Sequence, residues 1–245
     1  MYYFASDMHL GSGCGDPRRR EKLLVRWLEE VSADAEAIFL VGDVFDFWFE
    51  YRRVVPQGFT RLLGKLSELT DRGVTIHFFT GNHDMWACDY LSRECGVVMH
   101  TVPEVFELSG RRVLVAHGDN MGGERTWLER LMVWAFHSPT VRRLFSALVH
   151  PDLAMRFGHW WSGKSREAKS ISHSFRGEGE WLVRWARARL AEEPVDYFVF
   201  GHIHCAENYD LGGGSRVLFL GEWIEHPSYA VLDAEGNMEL VSYWQ

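Results

Sequence analysis

Five short apolar runs along the chain each end in a polar cluster. They are "YYFASDMH" at the start, "IFLVGDVFD" (38–46), "VTIHFFTGNHD" (74–84), "RVLVAHGD" (112–119) and "YFVFGHIH" (197–204). Runs this uniformly apolar suit strands buried on both faces. Helical periodicity lies between them over roughly 17–33, 57–72 and 180–193. The βαβαβ alternation predicts an α/β sandwich. In open α/β sheets ligands sit beyond the carboxyl ends of strands, and all five polar clusters fall there. Later runs, "RVLFLGEW", "SYAVLD" and "MELVSYW", set off by the glycine-rich turns "LGGGS" and "AEGN", read as closing strands of a second sheet packed on the first.

Length and charge narrow the picture. A chain of 245 residues forms one sizeable core, or a core plus a small lid. A formal net charge of -8 opposes a nucleic-acid partner. The cysteines at 14, 88, 95 and 205 show neither a CxxC pair nor a disulfide rhythm, so reduced thiols and a cytoplasmic setting are expected. "MYYFASDMHLG" does not read as a signal peptide, because its apolar run is short and meets Asp7 and His9. No apolar run reaches the roughly 20 residues that span a bilayer, which leaves attachment to a membrane surface open.

The strand-end clusters carry a ligand inventory: Asp7 and His9, Asp43, Asn82, His117, His202 and His204. In a strand, alternate residues share a side, so the paired histidines of "GHIH" can act together. Imidazole with carboxylate suits Mn, Fe or Zn. Seven donors exceed one tetrahedral shell and suit two ions sharing a bridging carboxylate, an arrangement that clamps a phosphoryl group during in-line displacement. Any single histidine is more often a satisfied core residue than a ligand. His77, His100, His137, His150, His159 and His173 keep that reading.

DxH (7–9), GDxxD (42–46), GNHD (81–84), HGD (117–119) and GHxH (201–204), in this order, resemble the metallophosphoesterase superfamily. The resemblance implies a four-layer αββα sandwich, one domain over 1–245, with a di-metal site. Carried over position by position, it implies one ion on Asp7, His9, Asp43 and His204. The other would sit on Asp43, Asn82, His117 and His202, with Asp43 as the bridge. It also implies that His83 faces the substrate as oxyanion partner or proton donor, oriented by Asp84.

Between HGD and GHxH lie about 80 residues, too many for a simple connection. Trp127, Leu128, Leu131, Met132 and Ala135 fall at helical spacing, and Pro139 and Pro151 should break the run into short helices. A helical lid inserted over 120–180 is therefore expected. Residues 124–176 hold nine Lys or Arg and four Asp or Glu, a local +5 that leaves -13 for the remainder. A lid both apolar and basic suits a ligand with a tail and a phosphate, or an anionic membrane surface.

"DMHLG", "GDVFDFWFE", "SPTVRRLF", "SGKSREAKS" and "LGEWIEHPSYAVLD" further resemble the UDP-2,3-diacylglucosamine diphosphatase family of lipid A biosynthesis. That resemblance implies hydrolysis of a lipid-linked nucleotide at its pyrophosphate, giving 2,3-diacylglucosamine 1-phosphate (lipid X) and UMP. It implies Mn²⁺ as the metal and a peripheral place on the cytoplasmic face of the inner membrane. It also implies substrate contacts from Ser165, Arg166, Lys169 and Asn82. No nucleic acid and no protein partner are expected. The best-known members of that family read GNRD where this chain reads GNHD. GNHD with "DMHLG" also resembles the exonuclease and cyclic-nucleotide branches of the superfamily. The acidic charge opposes a DNA nuclease. A metal-dependent phosphodiesterase acting on a nucleotide or cyclic nucleotide is the alternative.

Overall fold

The structure, a computed structural model, describes residues 1–119, 121–122, 127, 134, 138–170 and 175–243, apart from the side chains of 164–170. In chain order its strands are β1 (Tyr2–Ala5), β2 (Ala37–Val41), β3 (Thr75–Phe79), β4 (Val98–His100), β5 (Glu104–Leu108), β6 (Arg111–Ala116), β7 (Tyr197–Phe200), β8 (Ala206–Gly212), β9 (Ser215–Leu220), β10 (Ser228–Leu232) and β11 (Met238–Ser242). The helices are α1 (Pro17–Val31), α2 (Thr60–Asp71), α3 (Tyr90–Cys95), α4 (Pro139–Leu148), α5 (Pro151–Ser170) and α6 (Trp181–Leu190). One sheet runs β11-β10-β1-β2-β3-β4 and the other β5-β6-β7-β9-β8.

The continuous apolar runs have a direct cause. In β2 all five residues are buried. Ile38 and Leu40 face α1 and α2, against Trp27, Leu28 and Leu66. Ala37, Phe39 and Val41 face the other sheet, against Val113, Val199 and Leu218. β7 divides likewise. Tyr197 and Val199 enter the space between the sheets, while Phe198 and Phe200 lie under Leu182, Val183 and Ala186 of α6. The layers are therefore helix, sheet, sheet, helix.

The closing strands depart from expectation. They do not build the second sheet together: β10 adds to the first antiparallel to β1, β11 pairs antiparallel with β10 at its edge, and β9 joins the second beside β7. Both sheets are led by strands with polar ends, β1-β2-β3 in one and β6-β7 in the other. The apolar pattern did not announce α3, β4 or β5. β4 is only three residues long, and β5 reads "EVFEL", with glutamates at a sheet edge.

Helix starts follow local chemistry. Asp16 caps α1 through bonds from the N–H groups of Arg18 and Arg19, with Pro17 at the first turn. α2 has no side-chain cap of its own, since Phe59 sits there at φ 58°. Buried Glu21 of α1 supplies one, its Oε1 accepting from Arg61 N at 3.1 Å and Leu62 N at 3.3 Å.

Pro139 and Pro151 open α4 and α5. α5 carries two unlike faces. Ala154, Gly158 and Ser162 recur at i, i+4, i+8, and Ala154 and Ser162 are buried. A Cβ on Gly158 would run into the Phe47 ring, so only glycine permits this approach. Leu153, Phe157, Trp160 and Trp161 are exposed.

Gly158→Leu should therefore lift α5 from the core, whereas Gly64→Leu on α2, where no atom lies near an added Cβ, should not. The expected outcome is faster tryptic cleavage within 138–170 for the first variant alone. Equal cleavage of both would show that the small face does not hold α5 down.

Candidate metal centre

Five residues of the predicted ligand set leave their strands in the left-handed region. Asp7 has φ 56°, His9 45°, Asp43 52°, His202 69° and His204 55°. L-residues take this conformation at a cost of roughly 1–2 kcal/mol. Here the loops fix one another. Asp7 N–H donates to the Gly42 carbonyl at 3.1 Å, and His9 N–H to the Asp43 carbonyl at 2.9 Å. Gly201 N–H donates to the His117 carbonyl at 3.1 Å, within the second sheet. The sheets are joined by Asp7 Oδ2, which accepts from His202 N–H at 2.9 Å and from the Ser6 hydroxyl at 2.6 Å. A Cβ on Gly42 would stand 2.5 Å from His117 Nδ1. The glycine before Asp43 is what lets the His117 ring lie there.

The donor atoms converge. Asp7 Oδ1 lies 3.1 Å from His204 Nε2 and 3.7 Å from His9 Nε2, and the two imidazole nitrogens are 3.1 Å apart. Asp43 Oδ2 lies 3.2 Å from His117 Nε2 and 3.9 Å from His9 Nε2. Asp7, His9 and His204 form one group that could hold an ion, and Asp43, His117 and His202 form another. Asp43 Oδ2 reaches toward both. Asn82 Oδ1 is buried with no hydrogen-bond partner among the described residues, a state that a buried amide oxygen rarely keeps. His117 Nδ1–H donates to the Val41 carbonyl at 2.9 Å, which fixes the tautomer and leaves Nε2 facing Asp43. Imidazole, carboxylate and amide oxygen around one buried cleft fit a pair of divalent ions.

His83 is 4 % exposed, with Nε2 3.9 Å from Asp43 Oδ2. Its orientation differs from expectation. Asp84 does not hold the ring: its oxygens accept from Gly81 N at 2.7 Å, Val44 N at 2.9 Å, and the N–H groups of Asp43 and Phe45. Asp84 is thus the anchor that ties the "GNHD" loop to the "GDVFD" loop. The His83 ring is held by α5 and the "GDVFD" loop, with Nδ1 2.9 Å from both the Asp46 carbonyl and Ser162 Oγ.

Sequence reasoning passed over three residues. Asp46 is buried, with Oδ1 3.6 Å from His9 Nδ1, and forms a further group with His9 and His83. GDxxD was its signal. Ser162 brings α5 to the centre and had none. Buried Arg20 of α1 donates to the His9 carbonyl and Ser12 Oγ, each at 2.8 Å, and to the Met8 carbonyl at 3.3 Å. It holds the loop that carries His9.

His159, expected to be uninvolved, lies with Nδ1 3.6 Å from Asp46 Oδ2. His77 and His100 sit apart, between the sheets. His77 Nδ1 is 2.8 Å from His100 Nε2, and His100 Nδ1 is 2.6 Å from Glu104 Oε2. Burial and the His100 charge push His77 down to about 4. His150 lies at the surface beside Asp152. Ser165, Arg166 and Lys169 lie on α5, and their side chains fall outside the described residues. His137, His173, Leu128, Leu131, Met132 and Ala135 also fall outside them.

Electrostatics reflect the crowding. Burial raises Asp7, but His204, His9 and His117 more than offset it and hold the carboxyl well below its usual range. Burial lowers His117, but Asp43 outweighs it and raises the imidazole to about 10. Burial and the Asp43 charge push Asp84 up to about 7.

The calcineurin-like phosphoesterase profile matches residues 2–206. A Porphyromonas gingivalis protein named UDP-2,3-diacylglucosamine hydrolase is 44% identical over 245 aligned residues, covering 94% of this chain and 93% of its own. A Stenotrophomonas maltophilia protein of the same name is 29% identical and covers 95% of both chains. One from Escherichia coli is 26% identical and covers 98% of both.

Two outcomes follow from the geometry. Arg20→Met should weaken binding of the ion nearest His9 by about 10–100-fold, the usual effect of losing a partner behind a ligand. Titration with Mn²⁺ checks this, and unchanged affinity for both ions would remove Arg20 from the support of the centre. The second concerns protons. Without metal, His117 is an imidazolium at pH 7, because its raised value lies near 10. An ion needs the neutral ring, so uptake must expel a proton, and affinity should rise with pH until His117 deprotonates by itself. Calorimetry in buffers of different ionisation enthalpy should show proton release; buffer-independent heats would contradict it.

Proposed function

The chain belongs to the calcineurin-like phosphoesterase family, and we propose that it hydrolyses the pyrophosphate of UDP-2,3-diacylglucosamine, giving lipid X and UMP. The observation that carries the reading is the placement of His83: its ring is clamped between the Asp46 carbonyl and Ser162 of the lid, beside the Asp43 carboxylate. The group that would act on the phosphoryl centre and the element that would receive the substrate are thereby one assembly. Support for the substrate comes from the relatives' shared name at 44% to 26% identity, and from the exposed apolar face of α5.

Asp7, His9, Asp43 and His204 would hold one ion, and Asp43, Asn82, His117 and His202 the other, with Mn²⁺ as the proposed metal. When bound, the ions supply Lewis-acid neutralisation of phosphoryl charge and acidify water. The chain does the rest. His83 Nδ1–H is committed to Asp46 and Ser162, which leaves Nε2 to meet a phosphoryl oxygen or the leaving group. Unlike the arginine of the GNRD sequences, an imidazole donates from Nε2 only when that atom is protonated. Asn82 would add its amide to the phosphate contacts, and Ser165, Arg166 and Lys169 would meet the head group. Leu153, Phe157 and Trp160 offer acyl chains an apolar surface, at about 25 cal/mol per Å² buried. Among the described residues no helix is long and apolar enough to cross a membrane. The proposed location is peripheral, on the cytoplasmic face of the inner membrane, where the basic lid meets anionic lipid.

The test is incubation with Mn²⁺ and UDP-2,3-diacylglucosamine, followed by detection of UMP and lipid X. No UMP from metal-loaded protein would reject the reading. In the same assay His83→Ala should keep its metal and lose roughly 10²–10⁴ in kcat. Loss of metal in that variant would make His83 a ligand instead.

A further inference from the structure

A cavity of about 450 Å³ lies where α4 meets the loop that follows the "GDVFD" segment. It is outside the candidate metal centre, since none of the residues grouped there lines it. Its size falls within the range of about 300–1,000 Å³ typical of small-ligand sites. Five arginines line it, from three separate stretches of chain: Arg52 and Arg53, Arg93, and Arg142 and Arg143.

The acids in the cavity are already engaged. Glu50 accepts from Trp48 Nε1 at 3.1 Å, and from the N–H groups of Asp89 at 3.1 Å and Tyr90 at 3.2 Å. Asp89 Oδ2 takes Arg93 at 3.2 Å. Among the described residues no carboxylate lies within ion-pair distance of Arg52, Arg53, Arg142 or Arg143. Arg142 instead rests its guanidinium on Cys88 Sγ. Five arginines thus line one concave space with two carboxylates, Glu50 and Asp89, an excess of positive charge that self-repulsion opposes unless an anion enters.

The walls belong to both core and lid. Tyr51, next to Arg52, donates its hydroxyl to the Val149 carbonyl at the end of α4, at 3.0 Å. Phe145 of α4 packs on Phe49 with ring centroids 5.2 Å apart. The guanidinium pairs are therefore held on surfaces already in contact, and the planar forks match phosphate oxygens.

We propose that this cavity is a second phosphate-binding site, which takes the terminal phosphate of a nucleotide or the phosphate of a lipid headgroup and clamps the lid to the core. The assignment does not rest on the identity of the hydrolysed substrate. It predicts phosphate binding that survives removal of metal.

The experiment uses the full chain stripped of metal with EDTA and dialysed, so that phosphate cannot bind through ions. Inorganic phosphate, UMP and phosphatidylglycerol vesicles are titrated separately. The expected result is metal-independent binding of at least one probe, weakened by salt. It should fall roughly tenfold or more in Arg52→Gln/Arg142→Gln, the scale of losing charge-assisted bonds. Arg189→Gln, on α6, should bind as the unaltered chain does. Preference for UMP identifies a nucleotide source and preference for vesicles a lipid one; each supports the site. If the double variant does not fold, Arg53→Gln alone decides by the same comparison. Binding that no arginine change in the cavity affects, or no binding of any probe without metal, overturns the proposal.

Discussion

The carboxylate of Asp7 joins two sheets that share no strand. Its Oδ2 accepts from the His202 backbone of the second sheet and from Ser6 of the first, while Oδ1 faces His9 and His204. One side chain thus helps to fix the distance between the two strand edges, together with the His117 bond to the Val41 carbonyl, and supplies a donor atom to the centre. Every other ligand depends on this registration. His202 and His204 come from beyond β7, and His9 and Asp43 from beyond β1 and β2. A shift of one sheet along the other would separate them.

Holding them there is unfavourable locally. Asp7, Asp43, Asp46 and Asp84 are all buried around one cleft, and isolated buried carboxylates are strongly disfavoured. Two remedies serve three of them. Asp84 is wrapped in backbone N–H groups. Asp7 and Asp43 draw on neighbouring imidazoles, which raises His117 and depresses the acids. The left-handed backbone at five ligand positions adds strain that nearby regular structure must hold in place. Strain, buried charge and orphaned polar atoms coincide at the same residues, the usual mark of a site built for something other than stability.

The strand ends and their polar clusters were legible because both signals are local. A run buried on two faces is apolar throughout, and a ligand follows it within a few residues. The same locality explains the misses. Asp84 was read as a partner for the neighbouring His83, but it bonds across space to a loop some 40 residues earlier. Ser162 and Gly158 dock α5 through small size and a hydroxyl, which leave no periodic apolar trace. The closing strands could be recognised as strands but not allotted to a sheet, because pairing depends on partners distant in sequence. Arg20 looked like any basic residue at a helix start until its burial showed the carbonyls it serves.

The two faces of α5 differ in size more than in polarity. The inner face of Ala154, Gly158 and Ser162 holds by close approach to Phe47 and by the Ser162 bond to the Asp46 carbonyl. Neither attraction depends only on expelling water, since close contact adds dispersion and the hydroxyl adds a hydrogen bond. Helices within bilayers associate in the same way, through small residues and interhelical hydrogen bonds, because lipid removes the hydrophobic drive. A helix attached in this manner would keep its grip if hydrocarbon replaced the water over its outer, aromatic face. An ordinary amphipathic helix in that position would find its buried side no better served than its exposed one, and would be free to peel away into the lipid.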